Sequence, residues 1–252
     1  MKWITKSDLN VGIFPVLDVI APRLEFYFSS RTGGVSPAPF NSLNLGTGLG
    51  DTRENVDQNR EIILNALDIS NDNLARGEQT HSSNVRIINK GGKYKKSDGF
   101  ITDRTGLSIA VSTADCYPVV IYSPPENVMA AIHVGRKGAS GGIISKTLRK
   151  MIDQFLINPE KSISILGPGI CRKCYRINKN IASQFEGKVI KKGEDRYYLD
   201  LALFIKNELK RYGIKRRNIF SSGICTCCSH GLCFSYRREK TTGRHWTLAT
   251  IR

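Results

Sequence analysis

Residues 117–122 and 128–133 are unbroken apolar runs separated by Ser-Pro-Pro-Glu, the punctuation of a β-hairpin with a four-residue loop at 123–126. In that register Tyr122 faces Asn127. Counted outward, Cys116 stands opposite His133, at the roughly 5 Å that separates cross-strand Cβ atoms. Upstream, Leu24, Phe26 and Phe28 alternate with Glu25 and Tyr27, which predicts a half-buried strand ended by the turn R-T-G-G-V-S. Short strands are also predicted over 85–88, 100–102, 109–112 and 163–166, and one more closes the chain. Helical spacing governs other stretches. Val56, Ile63 and Leu67 form the inner stripe of a helix capped by Thr52, and a paired apolar repeat from Ile143 to Leu156 marks a second, with Gly138, Gly141 and Gly142 just before it. Asp200 caps a third helix running to Tyr212, and a short one spans 178–185. Strands and helices alternate without a strict βαβ rhythm, so the pattern predicts one α+β domain over residues 1–252 with a mixed sheet.

Composition narrows the class. The 252 residues are 40% hydrophobic, enough for one sizeable core. No apolar run approaches the roughly 20 residues of a membrane span, and the N-terminal M-K-W-I-T-K-S-D lacks a signal-peptide core. A soluble cytoplasmic protein without a membrane partner, monomeric or homodimeric, is expected. Seven cysteines, an odd number, then read as reduced thiols or metal ligands rather than a disulfide framework. The net charge of +16 suits an anionic small substrate such as phosphate. Its clusters, Lys191-Lys192, Lys215-Arg216-Arg217 and Arg237-Arg238, are short and lack interleaved aromatics, so no specific nucleic acid partner is expected.

Candidate chemistry gathers at one end of the predicted hairpin. Asp115 precedes Cys116, and G-R-K-G-A-S-G-G follows His133; polar groups crowded there mark a site, because burying them without partners is costly. A thiolate and an imidazole that close can share one metal ion through bonds of about 2 Å. His81, ahead of the strand at 85–88, offers a second imidazole, and the three would leave a tetrahedral position open for water or substrate. Arg60 falls on the apolar stripe of its helix, where a guanidinium needs an anion unless it snorkels from the edge. Arg136, Lys137 and Gly138 lead into the Ile143 helix as a candidate phosphate cradle, or as a turn needing glycine only for close packing. The long loop carrying Arg31 and Asn44 is a candidate substrate- or phosphate-binding segment. Cys171-x-x-Cys174 with Cys225, Cys227, Cys228 and Cys233 is a candidate structural zinc site, but the dense second group does not read as a zinc-ribbon half. The sequence therefore favours a single zinc per chain, at His81, Cys116 and His133.

These blocks, in order, resemble the laccase-domain family, long labelled polyphenol oxidase-like and associated with purine nucleoside phosphorylase activity. The resemblance runs through R-T-G-G-V-S, S-L-N-L-G, G-D-x-x-E-N-V-x-x-N-R, Q-T-H, S-D-G-F-I-T, T-A-D-C-Y-P, H-V-G-R-K-G, G-P-G-I-x-x-x-C-Y, L-D-L, F-S-Y-R-R and T-G-R, nearly the whole chain. It implies that His81, Cys116 and His133 bind zinc and that Arg60 serves activity. It also implies phosphorolysis of adenosine, inosine, guanosine and methylthioadenosine, deamination of adenosine, and a four-layer α/β/β/α sandwich with mixed sheets similar to a glutamine-deamidating toxin. Where the family usually has H-A-G-W-R-G, this chain has Arg136 in place of the Trp, which bears on substrate preference.

In that reading a cation at the triad, Zn2+ or else Cu2+, would orient substrate or lower the pKa of a water, while Arg60 and the glycine-rich segment hold phosphate. Three rivals stand beside it: Cys116 as the nucleophile of a hydrolase or amidase with His133 as base, a copper-dependent phenol oxidase, and a basic nucleic-acid-binding module. A multicopper laccase would need roughly ten imidazoles, and the chain has four histidines.

Overall fold

The structure is a computed structural model in which residues 1–185, 190–192 and 196–252 are described. Seven strands form one sheet in the order Lys2–Lys6, Leu9–Ile13, Leu24–Ser29, His245–Ile251, Ser108–Thr113, Leu74–Gly77, Gly92–Tyr94. Six form a second in the order Ile219–Ser221, Ile163–Leu166, Tyr117–Ser123, Val128–Val134, Gly99–Thr102, Val85–Ile87. Parallel pairs lie at one edge of the first sheet and at both edges of the second, with antiparallel pairs elsewhere in both, so the chain has the expected α+β fold with mixed sheets. A small third sheet joins Arg176–Ile177, Tyr197–Leu199 and Ile190–Lys192. No helix among the described residues is long and apolar enough to cross a membrane.

Period-two alternation explains how the two large sheets stack. Phe26, Phe28, Ile109, Val111, Ala249 and Ile251 of the first share one core with Val120, Tyr122, Met129 and Ala131 of the second. The residues between them face the other way. Tyr27, Ala110 and Leu248 bury against Ile63 and Leu64 of helix Arg53–Ala66. On the second sheet, Val119, Ile121, Ala130 and Ile132 meet Leu148 and Met151 of helix Ile143–Phe155 and Ile205 and Leu209 of helix Leu201–Arg211. Each such Val, Ile or Leu contributes about 1.5–3 kcal/mol by leaving water. Strands covered on both faces need apolar residues on both, which is why 117–122 and 128–133 read as continuous runs. The strand Leu24–Ser29 departs from the half-buried expectation for the same reason. Tyr27 is covered too, with its hydroxyl taken by Lys6 Nζ at 3.1 Å.

The helix starts follow the expected caps: Thr52 Oγ1 accepts from Asn55 N, and Asp200 Oδ1 accepts from Leu203 N. The hairpin register does not follow the expectation. Ser123 pairs with Val128 and His133 with Pro118, so the loop is 124–127. Asn127 has φ +55°, a left-handed conformation that Asn tolerates better than most residues, so it belongs to the turn and not to the strand. Cys116 consequently lies diagonal to His133, two residues beyond its partner on the same face. Arg136, Lys137 and Gly138, expected as a cradle or turn leading into the Ile143 helix, form a short helix of their own, Arg136–Ser140.

Candidate active site

The ligand atoms of His81, Cys116 and His133 lie within 4.8 Å of one another, although the residues come from three segments. His133 stands near the end of strand Val128–Val134, and Cys116 just before strand Tyr117–Ser123. His81 sits in the loop that follows strand Leu74–Gly77, with φ +59°. Its ring meets that of His133 edge-on, with centroids 4.8 Å apart. Gly135 makes the convergence possible. A Cβ there would stand 2.8 Å from Cys116 Sγ and 3.1 Å from His81 Cδ2, inside the triad itself.

Asp98, fully buried before strand Gly99–Thr102, holds this arrangement. One carboxylate oxygen faces His133 Nδ1 at 2.9 Å and also accepts the N–H of His81 at 3.0 Å. The other accepts the N–H groups of Thr80 and Ser82 and the Ser82 hydroxyl. One side chain thus fixes the strained His81 loop and turns His133 so that Nε2 is left for the site. Burial alone would raise the Asp98 carboxyl, but the hydrogen bonds from His133 and Ser82 bring it down to about 2. Asp98 lies in the S-D-G-F-I-T block, where residue pattern alone assigns it no role. Its signal was a carboxylate set directly against an apolar strand.

Electrostatics joins the thiol and imidazole into a pair. Burial pushes the Cys116 thiol up, but the neighbouring imidazoles, His133 first and then His81, outweigh it and bring the thiol down to about 6. Burial likewise disfavours the His133 imidazolium, and the Cys116 thiolate with the Asp98 carboxylate raises it to about 9. Tyr175, across the cleft, is pushed up to about 12 by burial and then by Cys116, so its hydroxyl stays a donor at neutral pH. The donor set of two imidazoles and one readily formed thiolate, around a pocket that a Cβ would fill, fits a tetrahedral cation with one open position.

Two outcomes follow from these contacts. In chelator-stripped protein, Cys116 should be alkylated by iodoacetamide with a rate that rises through about pH 6 and levels off above it. An ordinary thiol would still be accelerating at about pH 8.5; peptide mass spectrometry as a function of pH distinguishes the two. Asp98→Asn presents an amide N–H2 to groups that themselves donate, so metal affinity should fall by about 10–100-fold. Titration with a competing chelator measures it, and unchanged affinity would remove Asp98 from the assembly.

The triad opens into a cleft of about 2190 Å³ with a basic lining. Arg136 and Lys137 line it, while Gly138 packs against the backbone, where a Cβ would come 2.8 Å from Ser82 O. Arg60 lines it too. Its Nε and Nη2 donate to Leu45 O and its Nη1 to Asp57, and its guanidinium lies over the Trp246 ring at 5.1 Å. Arg76 approaches the same ring at 5.8 Å, and its buried Nε has no hydrogen-bond partner among the described residues. Arg76 leaves little signal in the sequence, because its strand is only four residues long. Arg31 does not line the cleft. Its guanidinium is held by Glu239 at 2.7 Å and by the carbonyls of Asn41 and His230. Asn44 is buried outside the lining, bonded to Gly46, Asp51 and the N–H of Arg244, so it shapes the loop beside the cleft. Asp115 is also tied down, accepting from Thr226, Ser235 and Arg237 N.

The sequence profile of the family described as "Multi-copper polyphenol oxidoreductase laccase" matches residues 25–252. A purine nucleoside phosphorylase of Clostridium acetobutylicum is 35% identical over 240 residues, which cover 93% of this chain and 95% of the relative. One of Corynebacterium glutamicum is 32% identical over 239 residues, covering 90% and 96%. Among solved structures, the Bacillus licheniformis hypothetical protein YfiH superposes with a TM-score of 0.93 at 25% identity over 99% of both chains.

Proposed function

The chain belongs to the multi-copper polyphenol oxidoreductase laccase family, and from that premise we propose that it is a purine nucleoside phosphorylase. The observation that carries the reading is the opening of the His81, Cys116 and His133 cluster into a cleft lined by Arg60, Arg76, Arg136 and Lys137. An oxygen of monohydrogen phosphate attacks the anomeric carbon as the glycosidic C–N bond breaks, and the proton that the phosphate gives up ends on the leaving purine. An attacking phosphate brings at least one negative charge into the cleft. Arg60 uses three of its five N–H donors on Leu45 and Asp57, and Arg76 Nε has no partner among the described residues, so both guanidiniums have donors for an anion. Burial and the neighbouring Arg76 disfavour the charge on Arg60, so an anion there is stabilising.

A zinc ion, or copper, held by His81, Cys116 and His133 would supply Lewis acidity in the same cleft. Asp98 keeps His133 oriented for it, and Tyr175 offers a hydroxyl donor across the cleft. Multicopper oxidation is not proposed. Of the four histidines, His245 is committed elsewhere, its Nε2 accepting from Phe234 N at 2.7 Å. We extend the proposal to adenosine, inosine, guanosine and methylthioadenosine as substrates and to deamination of adenosine. We also propose that the chain acts in the cytoplasm as one domain over residues 1–252.

The test is chromatography of products after incubation with those nucleosides, with and without phosphate. Phosphate-dependent release of base and ribose-1-phosphate is expected; no phosphate-dependent product from any of them would overturn the reading. The low-lying thiol of Cys116 beside His133 favours one alternative, a hydrolase or amidase with Cys116 as nucleophile. Full activity in protein stripped of metal would select that alternative.

A further inference from the structure

Outside the active site, four more cysteines converge. The Sγ atoms of Cys171, Cys174, Cys225 and Cys228 all lie within 4.8 Å of one another, and those of Cys174 and Cys228 are 3.5 Å apart. A tetrahedron with metal–sulfur arms of about 2.3 Å has edges of about 3.8 Å, so the four thiols need only small shifts to become the corners of one. The sequence spacing agrees once Cys227 is set aside. Cys225-Thr226-Cys227-Cys228 is a C-x-x-C pair matching Cys171-x-x-Cys174, hidden in the sequence reading by the third cysteine between its ends. Cys227 does not join the cluster, and Cys233 is buried in the core between the sheets.

The fold explains why the two pairs meet. Ile163–Leu166 and Ile219–Ser221 are neighbouring parallel strands, and the loops leaving their same ends carry the two C-x-x-C turns. The loops stay zipped together by Ser222 N to Leu166 O, Gly169 N to Ile224 O and Thr226 N to Gly169 O. Cys171 N donates to Cys225 Sγ at 3.2 Å, the kind of N–H···S contact that supports a thiolate. None of the four is packed as a core hydrophobe: three are half-buried and Cys228 is exposed. Cationic side chains needed to balance a tetrathiolate are at hand in Arg172 and Lys173 within the first turn. Arg238 donates to the carbonyls of Thr226 and Cys227 in the second.

We propose that Cys171, Cys174, Cys225 and Cys228 bind one zinc ion as a structural tetrathiolate site. Four sulfur ligands at tetrahedral spacing suit zinc and leave no position open for substrate. The ion staples two loops 54 residues apart in sequence. Those loops also grip the residue before the catalytic cysteine, since Ile170 N donates to Asp115 O and Thr226 Oγ1 to the Asp115 carboxylate. The site therefore braces the wall of the cleft and takes no part in the chemistry.

Elemental analysis of the full chain, purified without added metal, tests this. Cys116→Ala, which leaves all four cysteines in place, should retain one equivalent of zinc, and X-ray absorption at the zinc edge should show sulfur scatterers alone at about 2.3 Å. Cys174→Ser/Cys228→Ser should contain one equivalent less than the unmodified chain. Zinc-free Cys116→Ala, nitrogen or oxygen in the zinc shell, iron in place of zinc, or recovery of the four thiols as disulfides would each overturn the proposal. Failure of the active-site reading looks different, because the unmodified chain and Cys116→Ala would then carry the same single sulfur-bound ion.

Discussion

Cys116→Ala should lower phosphorolysis by about a thousandfold or more and remove the ion held with His81 and His133, while the fold survives. Cys116 is the one thiolate of the triad, and its sulfur occupies the space that Gly135 leaves open, in reach of both imidazoles. Losing a Lewis acid worth several kcal/mol translates to that factor at about 1.4 kcal/mol per tenfold. The substitution also removes the anion that raises the His133 imidazolium, so His133 should titrate lower than in the unmodified metal-free chain. Kinetics, metal content and the His133 NMR titration together check the assignment. A variant that keeps its triad ion and its rate would exclude Cys116 from the chemistry. A variant that loses the ion but keeps the rate would separate the metal from phosphorolysis.

Arg60→Ala should cost about a hundredfold or more in kcat/KM for phosphate, the scale of removing one group that stabilises developing charge. Two of its anchors are a backbone carbonyl and Asp57, whose side chain is 47% exposed, so that ion pair is screened by water and worth little to stability. A role limited to that pair would predict a lowered melting temperature with activity falling only as protein unfolds. The catalytic role predicts a stable, metal-loaded protein that no longer responds to phosphate. Arg60→Lys separates charge from shape, because an ammonium keeps the charge but cannot hold Leu45 O, Asp57 and an anion in one plane. Its recovery should be partial. Unchanged phosphorolysis in a folded Arg60→Ala protein would sink the role of Arg60.

How much of this was legible beforehand differs residue by residue. Cys116, His133 and His81 stood out because few side chains ligate soft cations, and because polar groups at the end of an apolar hairpin demand partners. Even the wrong register kept Cys116 and His133 on one face, since the true pairing differs by two residues and alternation repeats every two. Arg60 was visible as a charge on an apolar stripe, and both large helices were visible from their spacing. Arg31 and Asn44 were drawn into the site because a loop rich in glycine and amides looks the same whether it meets a ligand or its own backbone.

Local sequence marked the central strands, the long helices with their caps, and the atoms chemically able to bind a cation or an anion, but not the short or edge strands Lys2–Lys6, Leu9–Ile13, Leu74–Gly77, Gly92–Tyr94 and Ile219–Ser221. Only the tertiary structure decided the partners. Asp98 has meaning because Thr80, His81, Ser82 and His133 are brought to it from up to 35 residues away. Arg76 matters because Trp246, on a strand from the other end of the chain, sets it beside Arg60. The two C-x-x-C turns become one site only because strands far apart in sequence lie parallel and adjacent. Periodicity and capping act within a few residues and so are written in the chain, whereas ligand sets, ion partners and orphaned donors depend on distances that only the packing of the sheets fixes.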